Sequence, residues 1–135
     1  MRARAAWTAG VVMAALLAGG AASAEDKSLR EAANQNPALY VAMYGFSVSE
    51  YCNLITEEVY DGFRRETAYL IAKAGLGEEV VRKVRMRAWT DADLEYDNRG
   101  LGGFRNWCRT EGLTAARRFV DFRAAQLAAE ADARQ

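Results

Sequence analysis

Between Val80 and Tyr96 the apolar residues return at steps of three and four: Val81, Val84, Ala88, Ala92 and Tyr96, with Val80 and Trp89 widening the stripe. A half-buried strand alternates every second residue, so this spacing predicts an amphipathic helix. Glu78 and Glu79 stand at its start, where negative charge suits the positive end of the helix dipole. Asp91, Asp93, Glu95 and Asp97 stand at the other end, where they oppose the dipole. The helix therefore either stops near Thr90 or these acids have partners outside it.

The same pattern places the other elements. Ser28, with Glu31 three residues later, predicts a short polar helix over Ser28 to Ala33. Asn36-Pro37 opens a second, because asparagine suits the cap and proline the first helical position; it runs from Ala38 to Tyr44 and stops at Gly45. Ser47 and Glu50 have capping-box spacing for a third. Its apolar positions Cys52, Ile55, Val59, Phe63, Leu70 and Ala74 are compatible with one face, and Gly75-Leu76-Gly77 ends it. Glu57, Glu58, Asp61, Arg64, Arg65 and Glu66 fall mostly off that stripe and read as a solvated face, with Asp61 and Arg65 four residues apart. Asn98-Arg99-Gly100-Leu101-Gly102-Gly103 is a tight connection between helices. Phe104, Trp107 and Cys108 begin the last helical region, which Gly112 breaks or bends. Beyond it Leu113, Ala116, Val120, Leu127 and Ala131 mark a long stripe flanked by Phe119 and Phe122, and the tail frays from Ala128.

With a single proline, no Ser/Gly linker and no repeat, the chain reads as one unit: an all-α, small helical bundle of four to five helices. The first 24 residues read as a removable export signal. Arg2 and Arg4 give a positive start, Val11 to Ala18 a short apolar run, and Ala22-Ser23-Ala24 a small-residue cleavage site. A membrane anchor would need roughly 17 to 25 apolar residues, more than this run supplies before Gly19-Gly20. The mature domain is thus expected to span 25–135, in the periplasm or outside the cell. In such an oxidising compartment two cysteines are expected to pair, which assigns a disulfide to Cys52 and Cys108.

Charge narrows the partners. Loss of Arg2 and Arg4 with the signal turns 18 basic against 18 acidic residues into 16 against 18, a net charge of −2. A nucleic-acid binder would carry a basic excess, so nucleic acid is not expected. Arginine dominates the basic residues, and arginine favours planar pairing with carboxylates, which the many internal acids can supply.

Missing residue types exclude more. The chain has no histidine, which removes Ser-His and Cys-His nucleophile systems and most zinc sites. Paired cysteines remove thiol catalysis, and their spacing is not that of a Cys-x-x-Cys redox site. The alternating acids from Asp91 resemble the start of a calcium loop, but the frame that begins there puts Tyr96 at the sixth place and Gly102 at the twelfth, so an ordinary acidic turn explains them better. The glycine-rich loop lacks the Lys-Ser/Thr of a phosphate-binding loop. No catalytic residue, metal ligand or cofactor site is assigned. Carboxylate acid/base chemistry, as in cell-wall glycoside hydrolysis, stays open through Glu50 beside Tyr51 or Glu95 beside Tyr96.

The order of an early core cysteine, Leu76-Gly77 leading into Val84-Arg85-Met86-Arg87-Ala88, an acidic stretch with tyrosine, a glycine-rich turn and Trp107-Cys108-Arg109 resembles the small two-cysteine secreted helical proteins of alphaproteobacteria. The resemblance covers about Asn36 to Phe122, although Trp107-Cys108 replaces the usual Tyr-Cys pair. It implies a disulfide-tied helical bundle and no particular activity. The expected role is a non-enzymatic module that binds another envelope protein: an inhibitor, immunity factor, chaperone or accessory subunit. Leu39 to Phe46 is apolar nearly all round, so it is either buried or a partner surface; in the second case Tyr40, Tyr44 and Phe46 are the partner-binding residues.

Overall fold

The computed structural model describes residues 14–135, so both arginines and the start of the apolar run of the expected signal lie outside the described residues. The described chain forms five helical rods and no strand. They are α1 (Ala14–Gln35), α2 (Pro37–Tyr51), α3 (Glu57–Ala74), α4 (Glu78–Asn98), and a last rod in which α5 (Gly100–Trp107), a π-turn (Cys108–Gly112) and α6 (Leu113–Asp132) follow without a break. The all-α bundle and its Cys52–Cys108 disulfide match the sequence expectation. None of the described helices is long and apolar enough to cross a membrane.

Several boundaries differ from the sequence reading. Ser28 is interior to α1 rather than its cap, because the alanine-rich stretch before it continues the helix. The second helix starts at Pro37 as expected, yet it runs straight through Gly45 to Tyr51. Gly45 stays helical because it is a packing position. A Cβ there would stand 3.0 Å from the Cβ of Ala115, so the missing side chain lets α2 lie close to α6. Ser47 is therefore buried inside α2 and caps nothing. The cap of α3 is Thr56, whose Oγ1 accepts a hydrogen bond from the Val59 amide at 3.3 Å. Between them the chain turns through Asn53, which holds a positive φ of 54°, a conformation asparagine tolerates. Cys52 thus ends α2, and Ile55 lies exposed in the turn instead of on the α3 stripe. Gly75 ends α3 in the left-handed conformation expected of a terminal glycine.

Buried side chains come from every rod. Leu39, Met43, Val81, Val84 and Ala88 join α2 to α4, while Ala42, Val59, Ala116 and Phe119 join α2, α3 and α6. Phe46 stacks on Phe63 with ring centroids 4.0 Å apart, and Phe119 meets both rings edge-on, an arrangement aromatic quadrupoles favour. Phe119 was expected beside its stripe and Val120 on it. The structure reverses them: Phe119 is fully buried and Val120 is exposed. A step of three or four allows either residue, and Gly62 decides. A Cβ on Gly62 would fall on the Phe119 carbonyl, 2.5 Å from its carbon, so only a bare backbone lets α3 and α6 cross at this point.

The third group of buried residues surrounds the disulfide. Cys52 and Cys108 pack with Val48, Ala92 and Trp107, which is fully buried. Gly112 completes the fit, since a Cβ on it would lie 2.9 Å from Cys52 Sγ and 3.2 Å from Leu54 Cδ1. The predicted break at Gly112 is instead a π-turn, a wider helical turn that keeps the rod continuous. Outside the core, the expected solvated face of α3 is partly drawn into the seam with α6. Asp61 accepts from Arg65 at 2.9 Å and from Arg123 at 3.0 Å, and Arg65 reaches Glu130 at 2.9 Å. The Arg65 hydrogen bond, helped by Arg123, holds the Asp61 carboxyl below its usual range against the opposing effect of burial.

Gly62→Ala is expected to lower the free energy of unfolding by about 1–3 kcal/mol through overpacking. Gly102→Ala, where an added Cβ meets nothing within 4 Å inside a helix, is expected to raise it by up to about 1 kcal/mol. Replacing both cysteines by alanine removes a cross-link 56 residues apart and is expected to cost about 4 kcal/mol on chain-entropy grounds. Urea unfolding of the three variants beside the wild type measures each change.

Candidate functional site

The acids at the end of α4 are its first chemical feature, and tertiary partners explain why the helix does not stop at Thr90. It runs on to Asn98 because each of three acids is engaged. Arg87 donates to Asp91 at 2.9 Å within the helix, and Tyr40 Oη donates to the same carboxylate at 2.7 Å from α2. Asp93 accepts from Tyr51 Oη, and Glu95 accepts from Arg99 at 2.8 Å. Arg87 also donates to Asp26 at 2.9 Å, which ties α1 to α4. Carboxylates held this way are acceptors for the protein's own donors. The described residues contain no group of three or more acidic, cysteine or histidine side chains arranged to hold a metal ion.

The carboxylate chemistry left open by the sequence has little support in this arrangement. Burial pushes the Glu50 carboxyl up, as an acid catalyst would need, but Glu50 lies on the surface of α2. Glu95 lies on α4 and is occupied by Arg99.

Tyr40, Tyr44 and Phe46 are each partly buried, and Tyr40 and Tyr44 stack with ring centroids 5.9 Å apart. Phe46 belongs to the stack with Phe63 and Phe119. Tyr40 is turned onto Asp91, and burial together with that bond raises its phenol pKa. Tyr44 borders an open cleft of about 340 Å³, whose walls include Val41, Tyr44 and Val48 of α2 and Thr114, Ala115 and Arg118 of α6, and Tyr40 borders a second of about 280 Å³ with Pro37, Arg87 and Asp91. Burial, with Glu111 and Glu95 nearby, pushes the Tyr44 phenol up to about 12, so it stays neutral. Glu111 at the cleft edge accepts from Trp107 Nε1 at 3.0 Å and stands 3.9 Å from Arg99.

A second surface was not singled out from sequence. Trp89, assigned to the buried stripe of α4, is 55% exposed, because Val84, Ala88 and Ala92 already fill the inner face. Met86, three residues before it, is 39% exposed, and Tyr96, seven residues after it, is 40% exposed. On a helix these three positions share one side. Pattern reading could have found this face by noticing that small residues, Ala88 and Ala92, mark where α4 is most tightly packed, which turns Trp89 outward.

Tyr51 supplies a pH-dependent link between α2 and α4. The Asp93 hydrogen bond, then burial, pushes its phenol up to about 12, above the usual tyrosine value of about 10. A raised value means the link contributes fully below about pH 10 and is lost as pH rises through about 12. The stability gap between wild type and Tyr51→Phe is therefore expected to close across that window, followed by thermal unfolding at stepped alkaline pH. Compared with protein-family models, curated proteins and solved structures, the chain matches none.

Proposed function

We propose that this protein is a small non-enzymatic module that acts beyond the cytoplasmic membrane and binds another envelope protein through the outer face of α4. The observation that carries the reading is the exposure of Trp89, with Met86 one turn before it on the same side of α4; Tyr96 farther along that side stacks on Tyr51 of α2, with ring centroids 4.6 Å apart. Tryptophan and methionine are enriched at protein interfaces, and an isolated domain gains nothing from leaving them in water. Arg82 and Glu79 at the start of this helix pair with each other at 2.8 Å. The export signal read from the first 24 residues and the Cys52–Cys108 disulfide support the compartment. The resemblance in cysteine order to two-cysteine secreted proteins of alphaproteobacteria points the same way.

Site-specific photo-crosslinking in the native envelope tests it. A photoreactive residue at position 89 or 86 is expected to give one discrete adduct with an envelope protein, while the same residue at exposed position 124 on α6 gives none. Trp89→Ala is expected to weaken capture of the cross-linked partner at least tenfold and to leave the unfolding midpoint nearly unchanged. Equal labelling from positions 89 and 124 would refute the assignment of this face.

A further inference from the structure

We propose that the Cys52–Cys108 disulfide is a thiol-exchange site for small anionic thiols, with Arg105 and Arg109 drawing the incoming thiolate to Cys108. The bridge packs on Val48, Ala92 and Trp107 from one side. Neither cysteine is fully buried, and both line an open cleft of about 510 Å³ whose other walls are Tyr51, Asn53, Phe104 and the two arginines. A cleft of that volume admits a small molecule.

The backbone is irregular beside both sulfur-bearing residues. Cys52 caps α2, and the chain turns away at once through Asn53 with its positive φ of 54°. Cys108 opens the π-turn, a helix irregularity that recurs at functional sites. Charge marks the cleft further, since its lining holds two guanidinium groups and no acid. Arg105 and Arg109 are exposed and stand one turn apart on the last rod. Among the described residues neither meets an acid within ion-pair distance, whereas Arg65, Arg87 and Arg99 each do. Two cations beside a disulfide raise the local concentration of an anionic thiol and stabilise the thiolate that leaves.

The two sulfurs are not equivalent. Cys52 Sγ is backed by Gly112, where an added Cβ would stand 2.9 Å away, while Cys108 lies between Arg105 and Arg109 along the rod. A thiolate directed to Cys108 Sγ forms a new S–S bond there as the Cys52–Cys108 bond breaks; Cys52 leaves with the electron pair and takes a proton from water. A second thiolate attacks the small-thiol sulfur of this mixed disulfide, and Cys108 leaves as a thiolate that is protonated in turn. Two thiols are thereby oxidised to one small disulfide, and the protein bridge is reduced to two thiols. The end of α2 is then no longer tied to the last rod. No residue of the cleft belongs to α4, so this site and the outer face of α4 can each fail without the other.

Reduction kinetics of the folded protein, read by mass as mixed disulfide and free thiols, test the proposal. The probes are 2-mercaptoethanesulfonate, 2-mercaptoethanol and cysteamine, which carry a negative, no and a positive charge near the sulfur. Each rate is taken per thiolate and divided by the rate of the same thiol on a neutral small disulfide. At low salt the anionic thiol is expected to react roughly tenfold faster than the cationic one, and the gap is expected to narrow as salt screens the arginines. Arg105→Gln combined with Arg109→Gln is expected to abolish the preference and leave the unfolding midpoint nearly unchanged, while Arg105→Lys combined with Arg109→Lys keeps it. Equal rates for the three thiols, or a preference that survives the glutamine variant, would overturn the proposal. So would a rate that climbs in low urea in step with the unfolded fraction, because the sulfurs would then be reached only in the unfolded chain.

Discussion

The architecture depends on close approach of backbones at three glycines. Gly45 brings α2 against α6, Gly62 brings α3 against the Phe119 carbonyl, and Gly112 brings the π-turn against Cys52. Each is a place where one methyl group would push two rods apart. Because cores are packed like crystals, the shift would be felt by the side chains that fill the space around them. The Phe46, Phe63 and Phe119 rings meet where α2, α3 and α6 converge, and Trp107 lies beneath the disulfide for the same reason. The sulfur bridge fastens the end of α2 to the last rod at one of these close points. Covalent and packing constraints therefore act on the same seam.

Polar contacts arrange what the core leaves free. Tyr40 and Tyr51 reach from α2 to Asp91 and Asp93, so the acids that oppose the α4 dipole become acceptors for a neighbouring helix. Asp26 and Arg87 extend the same pairing to α1, while Asp61, Arg65, Arg123 and Glu130 join α3 to α6. Arginine suits this role because its planar fork can serve two carboxylates at once. Single exposed ion pairs contribute little, and partly buried networks contribute more than isolated pairs. With many charges matched internally, the features that stand out on the surface are an apolar cleft between α2 and α6 and the exposed side of α4 around Trp89.

These two features differ in chemistry, and their separation is physical. The α4 face is convex and open, which suits broad contact with another chain. The α2–α6 cleft is concave and largely apolar. Both exist because glycines and alanines occupy the tight side of each helix. Trp89, the bulky residue that remains on α4, is left at the edge of packing rather than inside it.

Composition, period and spacing by themselves determined the helical class, the proline-led start of α2, the glycine-terminated end of α3, the inner face of α4 and the pairing of Cys52 with Cys108. Each follows from local rules: a 3.6-residue repeat, a cap, or two thiols in one oxidising compartment. Only the tertiary structure decided whether Gly45 and Gly112 stop a helix or pack inside one, because a glycine that breaks and a glycine that admits a neighbour look identical along the chain. It also chose Phe119 over Val120 and turned Trp89 outward, since a stripe with steps of three and four tolerates a one-residue rotation until a facing helix fixes it. The partners of Asp91 and Asp93 lie 51 and 42 residues away on α2. The buried pairing of Arg118 with Glu66 was hidden for a related reason: a charge reads as solvated until the fold shows which of its atoms water no longer reaches.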